Sequence, residues 1–198
     1  MKKYCCILIV ICTIASCAGK NDQQTVTSAT DTVVSKAPSF FPVTSFIRGQ
    51  IITLDSIPVT PLQITTIHNK VDSAWLTKQQ LLPLLQPFLT PVIDETSMLR
   101  YFNETRFNDQ TLNAITFTYD PIGKLPDSIS LRHWDVYVSP EKGRVDKVYL
   151  VKNIRENDAS ITQQLTWQTD QMAKITTILN KPDGKMELLK EVVFTWHF

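Results

Sequence analysis

Beyond Pro42, apolar and polar side chains alternate in strand-length runs bounded by turn residues, the period of a half-buried β-strand. Ile115, Phe117 and Tyr119 share one face of one run, and Trp134, Val136 and Val138 share one face of the next. Leu188, Val192, Phe194, Trp196 and Phe198 share one face of the last. Between the runs lie Pro121-Ile122-Gly123, Ser139-Pro140-Glu141-Lys142-Gly143, Thr169-Asp170 and Lys181-Pro182-Asp183-Gly184, the residue types that turns select. Links this short join antiparallel neighbours, because parallel strands need a crossover of a dozen residues or more. The pattern therefore predicts an α+β fold: a mostly antiparallel meander, flat or curved toward a half-barrel, with one short helix.

That helix is placed over residues 77–89. Thr77 with Gln80 three residues later forms a capping-box signature ahead of Leu81, Leu82, Leu84, Leu85, Phe88 and Leu89, and Pro91 follows the end. Pro83 breaks the pattern, since inside a helix it removes a hydrogen bond and crowds the carbonyl four residues back. Either the helix kinks there or a second short turn begins at Pro83.

The first 41 residues follow other rules. Met1-Lys2-Lys3 leads into an apolar stretch from Tyr4 to Ile14 and then Ala15-Ser16-Cys17, which has the layout of a secretory signal and is too short to remain as a membrane span. From Ala18 to Phe41 the chain is rich in Thr, Ser, Gln, Asn and Asp, too polar to build a core. As a flexible coil it reaches roughly 27 Å, enough to hold a domain clear of lipid headgroups.

The run Ile14-Ala15-Ser16-Cys17 resembles the lipobox of bacterial lipoproteins: an aliphatic residue, a small residue, a Gly, Ala or Ser, and the cysteine that receives a diacylglyceryl group. The resemblance implies that residues 1–16 are a signal peptide to be removed and that Cys17 is the lipidated N-terminus. Residues 17–41 then form the tether, and 42–198 a single globular domain. It also implies attachment through acyl chains to a Gram-negative outer membrane, on either the periplasmic or the surface face. Cys5, Cys6, Cys12 and Cys17 are the only cysteines, so the domain itself holds no disulfide, cysteine zinc site or thiol nucleophile.

Charge excludes one class of partner. The chain has 20 basic and 19 acidic residues, scattered among each other from Arg48 onward, whereas a phosphate backbone calls for a concentrated basic face. Nucleic acid is not an expected partner.

Catalytic chemistry is sparse. The three histidines, His68, His133 and His197, lack the i, i+4 partner of a helical zinc site, and there is no Gly-x-Ser-x-Gly elbow or phosphate loop. Asp94, Glu95, Glu104, Asp120, Asp127 and Asp135 are the carboxylates from which a glycosidase pair would have to come. The expectation is a protein without catalytic residues, metal or cofactor. The densest candidate is Arg132-His133-Trp134-Asp135-Val136-Tyr137. Alternation puts Arg132 with Trp134 toward the core and His133, Asp135 and Tyr137 together on the other face. There they can hydrogen-bond or stack on a ligand, or simply form an outer sheet face.

Asp31-Thr32-Val33, Asp55-Ser56-Ile57, Asp72-Ser73-Ala74 and Asp127-Ser128-Ile129 resemble the Asp-Ser/Thr-apolar motif at which some Gram-negative envelope proteins are O-glycosylated. That makes Thr32, Ser56, Ser73 and Ser128 candidate modification sites, although Asp-Ser and Asp-Thr also serve turns and caps. The functional expectation is a binding or structural module of the envelope, its partner an envelope protein. An alternative is a carrier for an apolar ligand in a sheet-and-helix cup, similar in layout to the lipoprotein-localisation proteins. A hydrolase of envelope polymer stands third. Apolar residues make up 43% of the chain, no surplus over what one core requires.

Overall fold

Phe40 enters the core directly ahead of a helix, α1 (Val43–Ser56), in a stretch whose β-branched residues suggest a strand. The structure is a computed structural model describing residues 40–156 and 159–196. In α1, Val43, Thr44, Ile47 and Leu54 are buried, a helical spacing that places them on one side. Its start is fixed by Pro42, and its end by Pro58, which holds Ile57 extended at φ −95° and ψ 151°. Thr44 ties it down: its amide donates to the Ile93 carbonyl and its hydroxyl accepts from the Ile93 amide at 2.8 Å.

A hairpin follows, β1 (Leu62–Ile67) and β2 (Lys70–Trp75), joined by His68 and Asn69, both at positive φ. The predicted helix is split into α2 (Lys78–Leu84) and a 3₁₀ turn, Gln86–Phe88. Its capping box is as expected, with the Gln80 amide donating to Thr77 Oγ1 and the Thr77 amide to Gln80 Oε1. Pro83 lies in the last turn of α2, and the helix ends one residue later. A further short helix, α3 (Glu95–Met98), is capped by Asp94.

The chain then runs as a meander: β3 (Phe102–Asp109), β4 (Ala114–Pro121), β5 (Leu131–Ser139), β6 (Arg144–Glu156), β7 (Ala159–Gln168), β8 (Met172–Asn180) and β9 (Met186–Thr195). Strand β9 closes back on β1, which gives one open nine-stranded antiparallel sheet in the order β2-β1-β9-β8-β7-β6-β5-β4-β3. The fold is thus the expected α+β meander, with three helices and a 3₁₀ turn among the described residues in place of one helix. Gly143 and Gly184 supply the positive φ that their turns need.

The helices cover one face of this sheet. Trp134 stacks on Tyr119 with ring centroids 4.6 Å apart and meets Phe102 edge-on, while Phe88 meets Trp167 edge-on at 5.5 Å. Val192, Phe194 and Trp196 are buried as the alternation requires, but Leu188 is 50% exposed. A register shift at Thr177/Ile178 leaves Leu189 unmatched and turns the far end of β9 over. Phe198, Cys17, Thr32 and His197 lie outside the described residues.

Candidate functional site

The bulge at Arg132 sets up the outer face of β5. Leu131 pairs with Lys152 and His133 with Val151, so Arg132 is the extra residue and does not share the Trp134 face. It lines a polar cleft with Asp127, Asn153 and Arg155 at the end of β5 and β6. From His133 onward the alternation holds: Trp134 and Val136 are fully buried, and His133, Asp135 and Tyr137 lie together on the face without helices.

These three form one network with two residues of β4. His133 bonds Asp120 through Nδ1 at 2.7 Å and Asp135 through Nε2 at 3.1 Å. Thr118 Oγ1 donates to Asp135 Oδ1 at 2.6 Å, and the Tyr137 hydroxyl donates to Asp135 Oδ2 at 3.3 Å. Lys147 on β6 lies 3.7 Å from the centre of the Tyr137 ring, a cation–π contact.

Charge on the network follows from these bonds. The hydrogen bond to Asp135, with a second to Asp120, raises His133 to about 9 against the desolvation that opposes it, so both ring nitrogens carry protons at neutral pH. Burial of Asp135 works to raise its carboxyl, but the bonds from His133 and Thr118 outweigh it and hold it below the ordinary value. Burial, with Asp135 alongside, pushes Tyr137 up to about 12. His133 is therefore an imidazolium fixed between two carboxylates, not a base with a free lone pair. The carboxylates sit at opposite nitrogens of one ring and do not converge on a common point. Among the described residues no cluster of three or more His, Asp or Glu side chains is arranged to hold a metal ion.

A pH dependence follows with a definite sign. Because the folded value is raised above the unfolded 6.5, the stabilisation from His133 is complete below pH 6.5 and is lost as pH rises through 9. With the ring 29% exposed, solvent screening reduces it to about 1 kcal/mol. Urea titrations at pH 6 and pH 9 are expected to show the stability advantage of wild type over Asp135→Asn shrinking by this amount, groups that titrate in both proteins cancelling in the difference. An advantage that is the same at both pH values would show that the pair does not titrate as described.

Among the candidate hydroxyls, Ser56 closes α1, Ser73 lies mid-strand in β2 and Ser128 lies in the link before β5; all three are exposed. Ser56 Oγ already donates to the Thr53 carbonyl at 2.7 Å.

One residue escaped the sequence reading. Lys152 continues the inward series Val148, Leu150 on β6, is only 3% exposed, and donates from Nζ to the carbonyls of Pro87 and Thr90. Burial pulls it down to about 8, still charged at neutral pH. The signal was present as a lysine at an inward position of an apolar alternation, a placement that demands a partner. It forms part of the lining of a shallow cleft of about 310 Å³ with Gln86, Thr90, Ser130 and Gln163.

No protein-family model, curated protein or solved structure matches this chain.

Proposed function

We propose that this chain is a lipid-anchored protein of the bacterial cell envelope whose domain serves as a binding module. The address rests on Ile14-Ala15-Ser16-Cys17 behind Lys2-Lys3 and the apolar stretch, with a tether that ends at residue 39 instead of 41, because Phe40 is buried in the core and the Phe41 amide donates to the Tyr119 hydroxyl. The binding reading rests on the clamped His133 between Asp120 and Asp135, ordered polar chemistry on an open sheet face. Such a face suits a polar partner that meets Asp120, Tyr137 and Lys147 with hydrogen bonds. The same hypothesis makes Thr32, Ser56, Ser73 and Ser128 sites for attached sugar.

The carrier reading draws less support. Its cup would lie between the helices and the sheet, where Trp134, Trp167, Tyr119 and Phe88 fill the space. The cleft there, where Leu84, Ile175, Val192 and Phe194 share the wall with Gln63, Gln163, Thr177 and Lys190, holds about 220 Å³, below the roughly 300–1,000 Å³ of ligand pockets.

Fractionation of wild type and Cys17→Ala in the native host, with intact-mass analysis, tests the address. The expected result is diacylglyceryl and acyl mass on a membrane-bound wild type and an unmodified, soluble variant; two soluble forms of equal unmodified mass would refute it. Crosslinking in detergent extracts tests the binding module. Partners captured by wild type should be lost in a His133→Ala/Asp135→Ala double variant that still folds. Equal capture by both forms, or no partner for either, counts against the outer face.

A further inference from the structure

The hairpin β1–β2 leaves one end of the sheet open. Among the described residues strand β2 pairs with β1 alone, and all six of its residues are exposed. The two-residue turn makes Ile67 and Lys70 a hydrogen-bonded pair, after which paired and unpaired positions alternate. Lys70, Asp72 and Ala74 thus direct their amides and carbonyls at β1. Leu76, one step further, does so too, its amide donating to the Pro61 carbonyl at 2.9 Å. Val71, Ser73 and Trp75 consequently point theirs outward from the sheet. The same residues carry side chains on the sheet's helix-free face, where Val71 is 68% and Trp75 69% exposed.

We infer that β2 is a self-pairing edge: it docks antiparallel on β2 of a second copy, about a two-fold axis through Ser73, and joins the two sheets into one. In this register Ser73 faces Ser73, and each Val71 faces the other copy's Trp75. Every outward amide and carbonyl of the three residues is then used, two N–H···O bonds per facing pair. The alternatives fit worse. A register slid by one residue presents groups already bonded to β1, and a two-fold axis at Asp72 or Ala74 uses only two of the three outward residues, the former also setting Asp72 against Asp72. A two-fold axis at Val71 runs the strand into the His68-Asn69 turn, and one at Trp75 runs it into Thr77 and α2. On the opposite face Asp72 meets Ala74 and Lys70 meets Leu76, so no like charges lie directly opposed. The second copy is favoured over an unrelated strand because the two-fold covers both exposed apolar side chains with each other, the self-complementarity of an isologous interface.

One strand per partner buries much less than the roughly 800 Å² a side of a stable complex, so the association is weak and grows with concentration. Lys70 and Asp72, charges at an open edge, restrain it further. The inference is independent of the binding reading, since β2 lies at the far edge from β5, but it excludes a sugar on Ser73, which would stand on the two-fold axis and hold the edges apart.

Site-directed disulfide trapping of the full chain tests it. Hydrogen-bonded pairs in antiparallel strands have Cα atoms about 5.5 Å apart, within reach of a disulfide. Ser73→Cys is expected to form a covalent dimer at least tenfold faster than Thr105→Cys, an exposed position on the opposite edge strand β3. Wild type controls for the native cysteines, all within residues 1–17. Adding Trp75→Lys to Ser73→Cys should return the rate to that of Thr105→Cys. An equimolar mixture of Val71→Cys and Trp75→Cys should form the mixed dimer faster than either protein dimerises alone, which checks the register with a second pair of variants. A Ser73→Cys rate no greater than that of Thr105→Cys, a rate unchanged by Trp75→Lys, or a mixture without preference for the mixed dimer overturns the self-pairing.

Discussion

Trp134→Ala is expected to destabilise the domain by about 3–5 kcal/mol, the usual cost of truncating a buried aromatic. Trp134 is fully buried and touches Tyr119, Phe102 and Phe40 at ring-centroid distances of 4.6, 4.6 and 5.7 Å. Through Phe40 and Phe102 it fastens both the entry to α1 and the start of β3 to the sheet. Against a total stability of about 5–15 kcal/mol, the loss takes a large part of the folding free energy. Trp134→Phe provides the contrast. The indole Nε1 is buried without a hydrogen-bond partner, so phenylalanine removes an unsatisfied donor along with part of the ring. It should cost about 1–2 kcal/mol, since the phenyl ring keeps most of the packing and loss of the unsatisfied donor offsets part of the cavity. Chemical denaturation of the two variants measures both, and a Phe variant as damaged as the Ala variant would mean that the indole N–H has a stabilising role.

The elements that were legible in the sequence are those in which a single period runs without interruption. Trp134, Val136 and Val138 alternate on β5, and the opposite face of the same strand carries His133, Asp135 and Tyr137, so one pattern located both core and candidate site. Where a bulge intervenes the pattern points to the wrong side. Arg132 and Leu188 both follow from alternation carried across a bulge, at Leu131/His133 and at Thr177/Ile178. Nothing in the residue types at those points announces the extra residue. Helix α1 was hidden for a different reason. Val43, Thr44, Ile51, Ile52 and Thr53 are β-branched, and the propensity of such a stretch favours a strand. Burial of Val43, Ile47 and Leu54 against the sheet overrides that preference. The partners of the site were not legible at all, because Asp120 and Thr118 come from the neighbouring strand, and cross-strand register brings them within reach of His133 and Asp135.

Lys152→Met is expected to produce a stability deficit that grows with pH. At pH 7 the ammonium donates to the carbonyls of Pro87 and Thr90, and methionine keeps the apolar stem while leaving those carbonyls unpaired, a cost of about 2 kcal/mol. Because burial lowers the folded value to about 8 from the unfolded 10.4, the unfolded chain holds a proton between these values that the folded protein has released. Stability of the wild type therefore rises with pH across that window, by about 2 kcal/mol at pH 10, and the variant lacks this rise. His133 acts in the opposite direction between pH 6.5 and 9, but it lies on the other face of the sheet and is present in both proteins, so it cancels in their difference. Tyr137, pushed up to about 12, lowers stability only above pH 10 and cancels likewise. Urea titrations of both proteins at pH 7.5 and pH 10 should show the deficit roughly doubling. A deficit that stays constant would mean that Lys152 titrates as an ordinary lysine and that the carbonyls of Pro87 and Thr90 compensate its burial in full.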